Sequence, residues 1–167
     1  MIIIKKKIGF TIGKFAPLHK GHEHLIETAL KEIDELYVVI YDTDVIDIPV
    51  EARAKWITDK FNKVKIIYAF DAPKQHGLDE ESVKIQMEYL TKKIDGIPVN
   101  CFFSSEPYGE KVAEYLNIEN RIVDSTRHQV PISAGLIRKD IEKHKMFLDD
   151  RVYNEIKSCI IDKKIYK

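Results

Sequence analysis

Gly13-Lys14-Phe15-Ala16-Pro17-Leu18-His19-Lys20-Gly21-His22 is the stretch on which the reading of this chain turns. Ile8 to Ile12 ahead of it, preceded by Lys5–Lys7, is a short apolar run with the pattern of a buried strand. Behind it, Leu25, Ile26, Ala29, Leu30 and Ile33 recur on one helical face. The stretch is therefore a strand-to-helix turn. Its glycines let backbone approach a ligand closely, and Pro17 stiffens it. The free N–H groups and dipole at the following helix start favour an anion. His19 and His22 stand beside that anion site. One histidine at a helix start is most simply structural. Two around one glycine, after Gly-x-Phe-x-Pro, point to a phosphate.

The bulk composition narrows the partners. With 167 residues, 44% apolar and 32% charged, the sequence is expected to form one soluble domain over 1–167 with a full core. Lys plus Arg and Asp plus Glu both number 27, so the formal net charge is zero. That argues against duplex nucleic acid, which needs a basic face. Met1–Ile4 is too short and stands ahead of the lysines, the reverse of secretory order. No apolar run approaches the roughly 18–20 residues of a membrane span. Cys101 and Cys159 have neither metal-ligand spacing nor reason to pair, so a cytoplasmic setting is expected.

Strands and helices alternate along the chain. Strands are expected near 7–13, 36–41, 64–70, 99–103 and 121–124. Helices are expected near 21–33, 50–61, 79–94 and 107–116, with closing helices at 133–143 and 149–161. The pattern is α/β: a Rossmann-like, doubly wound, five-stranded parallel sheet wrapped on both faces. Ligands of such sheets bind at the carboxyl ends of strands, where 13–22, 42–47, 71–77 and 104–109 all fall.

A second signal lies downstream in Pro131-Ile132-Ser133-Ala134-Gly135-Leu136-Ile137-Arg138. Ser133 caps a helix, and Arg138 could offer phosphate oxygens a fork of donors. Taken with His19-x-Gly21-His22, this run resembles the nucleotidylyltransferase superfamily, with its H-x-G-H and I-S-x-T-x-x-R motifs. The form G-K-F-x-P-L-H-x-G-H is most similar to the NMN adenylyltransferase domain of NadR-type proteins. Ile48-Pro49-Val50-Glu51-x-Arg53-x-x-Trp56-Ile57, Phe103-Ser104-Ser105-Glu106-Pro107-Tyr108-Gly109 and Asp124-x-x-Arg127-x-x-Val130-Pro131 extend the resemblance, which spans about Ile8 to Arg138. Gly135 departs from it, standing where the family has threonine or serine.

The resemblance implies the roles. His19, His22 and Arg138 would act on the reacting phosphates, and Gly13, Lys14, Phe15, Gly21, Ser104, Glu106, Tyr108 and Ser133 would hold ATP. Trp56, Arg53 and Arg127 would meet the acceptor. Taken singly, Trp56 reads as core, the two arginines as ion-pair members, and Ser104–Gly109 as a capped loop. Asp42, Asp44 and Asp47 read as solvated carboxylates, with no protein metal site and Mg²⁺ carried by the ATP phosphates. His24, His76, His128 and His144 carry no pattern, and Lys163–Lys167 is a solvated end.

The implied reaction is adenylyl transfer from ATP to nicotinamide mononucleotide (NMN), giving NAD and pyrophosphate, with no nucleic-acid or membrane partner. A homo-oligomer stays open. The rivals are a transferase for pantetheine phosphate, FMN or glycerol phosphate, and a non-catalytic nucleotide-binding regulatory module, which Gly135 keeps open. There is no G-x-x-x-x-G-K-[S/T] loop, so a kinase activity is not carried over.

Overall fold

The computed structural model describes residues 2–75 and 77–161. His76 and Lys163–Lys167 lie outside the described residues. Five strands, β1 (Ile8–Gly13), β2 (Glu35–Tyr41), β3 (Lys65–Ala69), β4 (Cys101–Ser104) and β5 (Glu119–Ile122), form one parallel sheet in the order β3-β2-β1-β4-β5. Between and after them run α1 (Lys20–Glu32), α2 (Val50–Lys60), α3 (Glu80–Lys93), α4 (Tyr108–Leu116), α5 (Ala134–Lys139), α6 (Ile141–His144) and α7 (Asp150–Ile161).

The strand alternation dictates the layers. Val38 and Ile40 of β2 face a core shared with α1, α2, α5, α6 and α7, through Ile26, Ile57, Ile137, Ile141 and Ile156. Val39 points the other way, joining Phe10, Phe102, Met87, Leu90 and Val112 under α3 and α4. Strands buried on both faces read as continuous apolar runs, as Leu36–Ile40 does. β1 is central, and the chain leaves it one way through β2 and β3 and the other way through β4 and β5. This switch opens a crevice beyond the carboxyl ends of β1 and β4.

Two expected boundaries are corrected. The fifth strand runs two residues earlier than 121–124, because Asp124 takes a left-handed backbone (φ 50°) that no strand accommodates. The helix expected over 133–143 is broken at Asp140. That residue is extended, and its carboxylate accepts the Lys143 N–H (3.1 Å), starting α6 as a separate turn. No helix among the described residues is long and apolar enough to cross a membrane.

Candidate active site

The two histidines cap their own helix reciprocally. His19 is the N-cap of α1, and its Nδ1 accepts the N–H groups of Gly21 (3.0 Å) and His22 (3.4 Å). His22 Nδ1 accepts the His19 N–H in return (3.2 Å). This is the capping-box arrangement, with imidazole nitrogens replacing the usual hydroxyl and carboxylate. It has a chemical consequence. A ring nitrogen that accepts from backbone carries no proton, so each neutral ring holds its proton on Nε2 as a donor.

Glycine at position 21 is a steric requirement. A Cβ there would lie 2.8 Å from His19 Cε1 and 3.0 Å from its Nδ1, displacing the capping ring. The two imidazoles stack with centroids 3.7 Å apart, and Phe15 lies against His22 at 4.7 Å. Phe15 holds φ at 48°, and its ring occupies the space a Gly13 Cβ would need, 3.1 Å away. Burial, and secondarily the Arg127 charge, pulls the His19 pKa down to about 3. Burial first, then His19 and Arg127, holds His22 well below its ordinary value. Both rings are neutral donors near pH 7.

Around them lies a cleft of about 300 Å³, floored by Thr11–Gly13 at the end of β1 and walled by Ser104–Glu106, Asp124, Arg127, Ala134 and Arg138. Arg138 Nη1 donates to the Ala16 carbonyl (2.7 Å), drawing α5 onto the β1–α1 loop. Arg127 ties three segments together, donating to the Ile132 carbonyl (2.6 Å) and to Glu106 Oε1 (2.7 Å). Arg127 and Asp124 both have positive φ, 55° and 50°, a costly conformation that the loop enforces. The Asp124 carboxylate does so by accepting the Gln129 and Val130 N–H groups, each at 2.9 Å.

A second chamber of about 520 Å³ opens on the other side of Ile12-Gly13-Lys14, residues that line both. Its walls are tyrosines 41, 89 and 108, Asp42–Asp44 and the 72–75 turn. Lys14 is exposed at the divide, and its ammonium has no partner among the described residues.

The expected site residues divide accordingly. His19, His22, Arg138, Gly13, Lys14, Phe15, Gly21, Ser104, Glu106 and Arg127 converge on the first chamber. Tyr108 lines the second, where burial pushes its phenol up to about 12. Ser133 lines neither, and its hydroxyl is used on its own helix, accepting the Leu136 N–H (3.3 Å). Trp56 is not brought to the cleft. It is 3% exposed, and its indole N–H donates to Glu155 of α7 (2.5 Å). Arg53 is wholly buried, lines neither chamber and bonds to backbone. Sequence reasoning missed Tyr41 and Tyr89. Their signal was present, since Tyr41 ends a strand at the ligand edge and Tyr89 lies on the helix opposite.

Residues 9–154 match the family model described as the citrate lyase ligase C-terminal domain. The chain belongs to that family. The trifunctional NAD biosynthesis/regulator protein NadR of Escherichia coli (strain K12) is 33% identical, over 81% of this chain and 37% of that protein. NadR of Salmonella typhimurium (strain LT2) is 32% identical over the same shares. The chain thus spans well under half the length of the curated relatives it matches. A NadR structure in complex with NAD and AMP-PNP shares its fold with a TM-score of 0.62 at 24% identity, covering 89% of this chain and 46% of that one. A bifunctional NMN adenylyltransferase/ADP ribose pyrophosphatase from Francisella tularensis, complexed with AMP and a Mn ion, gives 0.66 at 18% identity, covering 92% and 49%. The NadR-type resemblance carried by the two motifs stands, on a Rossmann-like α/β frame.

Proposed function

We propose that this domain transfers the adenylyl group of ATP to the 5′-phosphate of NMN, releasing pyrophosphate and forming NAD. The observation that carries the reading is the reciprocally capped pair, His19 and His22, with both free Nε2–H donors beside Lys14 and Arg138. An acceptor phosphate oxygen is already an anion, so no general base is needed. The protein's task is to bring two polyanions together and stabilise charge at the α-phosphorus and on the leaving pyrophosphate.

The first chamber suits the ATP phosphates, because His19, His22, Arg127 and Arg138 converge there as donors. The second suits the acceptor. Three tyrosines make flat apolar walls for an aromatic ring, and Asp42 and Asp44 are ill matched to a triphosphate. The two substrates then meet over Gly13-Lys14, the shared wall, where the Lys14 ammonium stands between their phosphates. Neutral imidazoles serve here as oriented dipoles that keep their protons throughout. The described residues contain no group of three or more His, Cys, Asp or Glu able to hold a metal, and the donors in the first chamber fit phosphate oxygens. Mg²⁺ carried on the ATP phosphates would supply charge neutralisation there.

The test is an acceptor panel. Purified protein with ATP and Mg²⁺ receives NMN, nicotinic acid mononucleotide, pantetheine phosphate, FMN and glycerol phosphate in parallel. NAD and pyrophosphate in equal amounts from NMN are expected. Turnover confined to another acceptor would reassign the substrate. ATP binding without turnover of any acceptor would favour the binding-module reading that Gly135 keeps open.

A further inference from the structure

Arg53 is the largest side chain that the fold buries completely among the described residues, and its hydrogen bonds all go to backbone carbonyls. Nε donates to Ile48 O (3.0 Å), at the entry to α2. Nη1 donates to Tyr41 O (3.1 Å), at the end of β2, and to Lys14 O, in the loop that divides the chambers. One guanidinium thus joins the wall of the second chamber to the loop that presents Lys14. Its third nitrogen is unsatisfied. Nη2 is buried with no hydrogen-bond partner, and Asp42 Oδ1 stands 3.7 Å from it, already accepting the Thr43 N–H at 2.9 Å. Asp42 is exposed and lines the second chamber.

We propose that Arg53 is a positioning residue that makes binding in the two chambers interdependent. The inference rests on the assignment of ATP and NMN to those chambers. Ligand seated against Asp42–Asp44 orders that loop. The 3.7 Å gap exceeds a hydrogen bond by under about 1 Å, so a small inward shift of Asp42 completes the unsatisfied Nη2. The guanidinium, now held on all sides, fixes the Lys14 carbonyl and the loop that carries Gly13 and Phe15. Filling one chamber therefore stiffens the wall of the other. Lysine cannot replace Arg53 here. Its single nitrogen reaches one cluster of acceptors, whereas the guanidinium spans Ile48 on one edge and Lys14 and Tyr41 on another.

Calorimetric titration of the whole chain with NMN and with α,β-methylene-ATP, each alone and each in the presence of the other, tests this. In the unaltered protein each ligand is expected to tighten the other by one common factor, about 5- to 150-fold. Asp42→Ala, an exposed change that removes the acceptor and leaves the core alone, should keep the affinity for the ATP analogue and bring that factor to near one. Arg53→Lys should lose the factor as well, with kcat lower by about 10- to 100-fold. An Asp42→Ala variant that keeps the full factor overturns the inference, and so does an unaltered protein that binds both ligands independently. If the unaltered protein binds neither ligand, the assignment of the cleft itself fails.

Discussion

Replacing His22 separates its two duties, because one lies on Nδ1 and the other on Nε2. His22→Ala removes both. Losing the Nδ1 acceptor for the His19 N–H (3.2 Å) costs the helix start about 1 kcal/mol. In a chain of this size that lowers Tm by about 2–4 °C. Losing the Nε2–H donor removes a contact to transition-state charge, worth about 10²–10³ in kcat. His22→Glu is the informative variant. Glutamate is an ordinary capping-box residue at this third helical position, so its side-chain oxygen restores the bond to the N-cap N–H. Ionised, it has no donor to put where the imidazole Nε2–H stood. Thermal melts and initial rates of NAD formation should therefore diverge: the Glu variant melts with the unaltered protein yet is at least as slow as the Ala variant. A Glu variant that melts as low as the Ala variant would refute the capping argument. An Ala variant within about threefold of full rate would refute the phosphate-donor argument.

Acidification should weaken the fold through His19. Unfolded, it takes a proton near its ordinary value of 6.5, whereas folded it holds out to about 3. The unfolded chain thus binds more protons in that window, so stability is full above pH 6.5 and declines as pH falls towards 3. Urea titrations at pH 7.5 and 5 measure the loss, which His19→Asn should reduce while keeping an N-cap. In Gly135→Thr the new Cβ meets only Arg138 Nη2, in ordinary contact at 3.9 Å. It should not lower Tm, gains a few tenths of a kcal/mol in helix propensity, and is expected to raise kcat by adding a hydroxyl beside the cleft. Trp56→Phe loses the bond to Glu155 and about 1 kcal/mol of stability, read as a lower melting midpoint in urea. Its KM for NMN should stay within about twofold, since the indole reaches neither chamber.

The layered fold was legible because strand and helix periods alternate plainly, as in Leu36–Ile40 against Leu25, Ile26 and Ala29. The turn that carries the candidate site was legible for a local reason: strand, glycine turn and helix start follow one another without interruption from Ile8 to Ile33. What escaped depends on distant partners. Nothing near Arg53 says that Lys14, 39 residues earlier, would supply its acceptor. Nothing near Trp56 announces Glu155, 99 residues later, so a ring that could stack on a ligand is instead a packing residue with a satisfied N–H. The break at Asp140 turned on a competition between continuing α5 and capping α6, which helical periodicity does not register. The tyrosines of the second chamber are ordinary strand and helix residues until the sheet order sets them around one space.

The proposed chemistry turns on two neutral, stacked imidazoles that present fixed Nε2–H donors to phosphate. Nitrogen-15 NMR of the histidine rings, from pH 8 to 5 and with and without α,β-methylene-ATP, reads tautomer, charge and contact together. His19 and His22 are expected to be Nε2–H tautomers that do not titrate across this range and that shift when the analogue binds. A ring that titrates near its ordinary value, carries its proton on Nδ1, or ignores the analogue would contradict it.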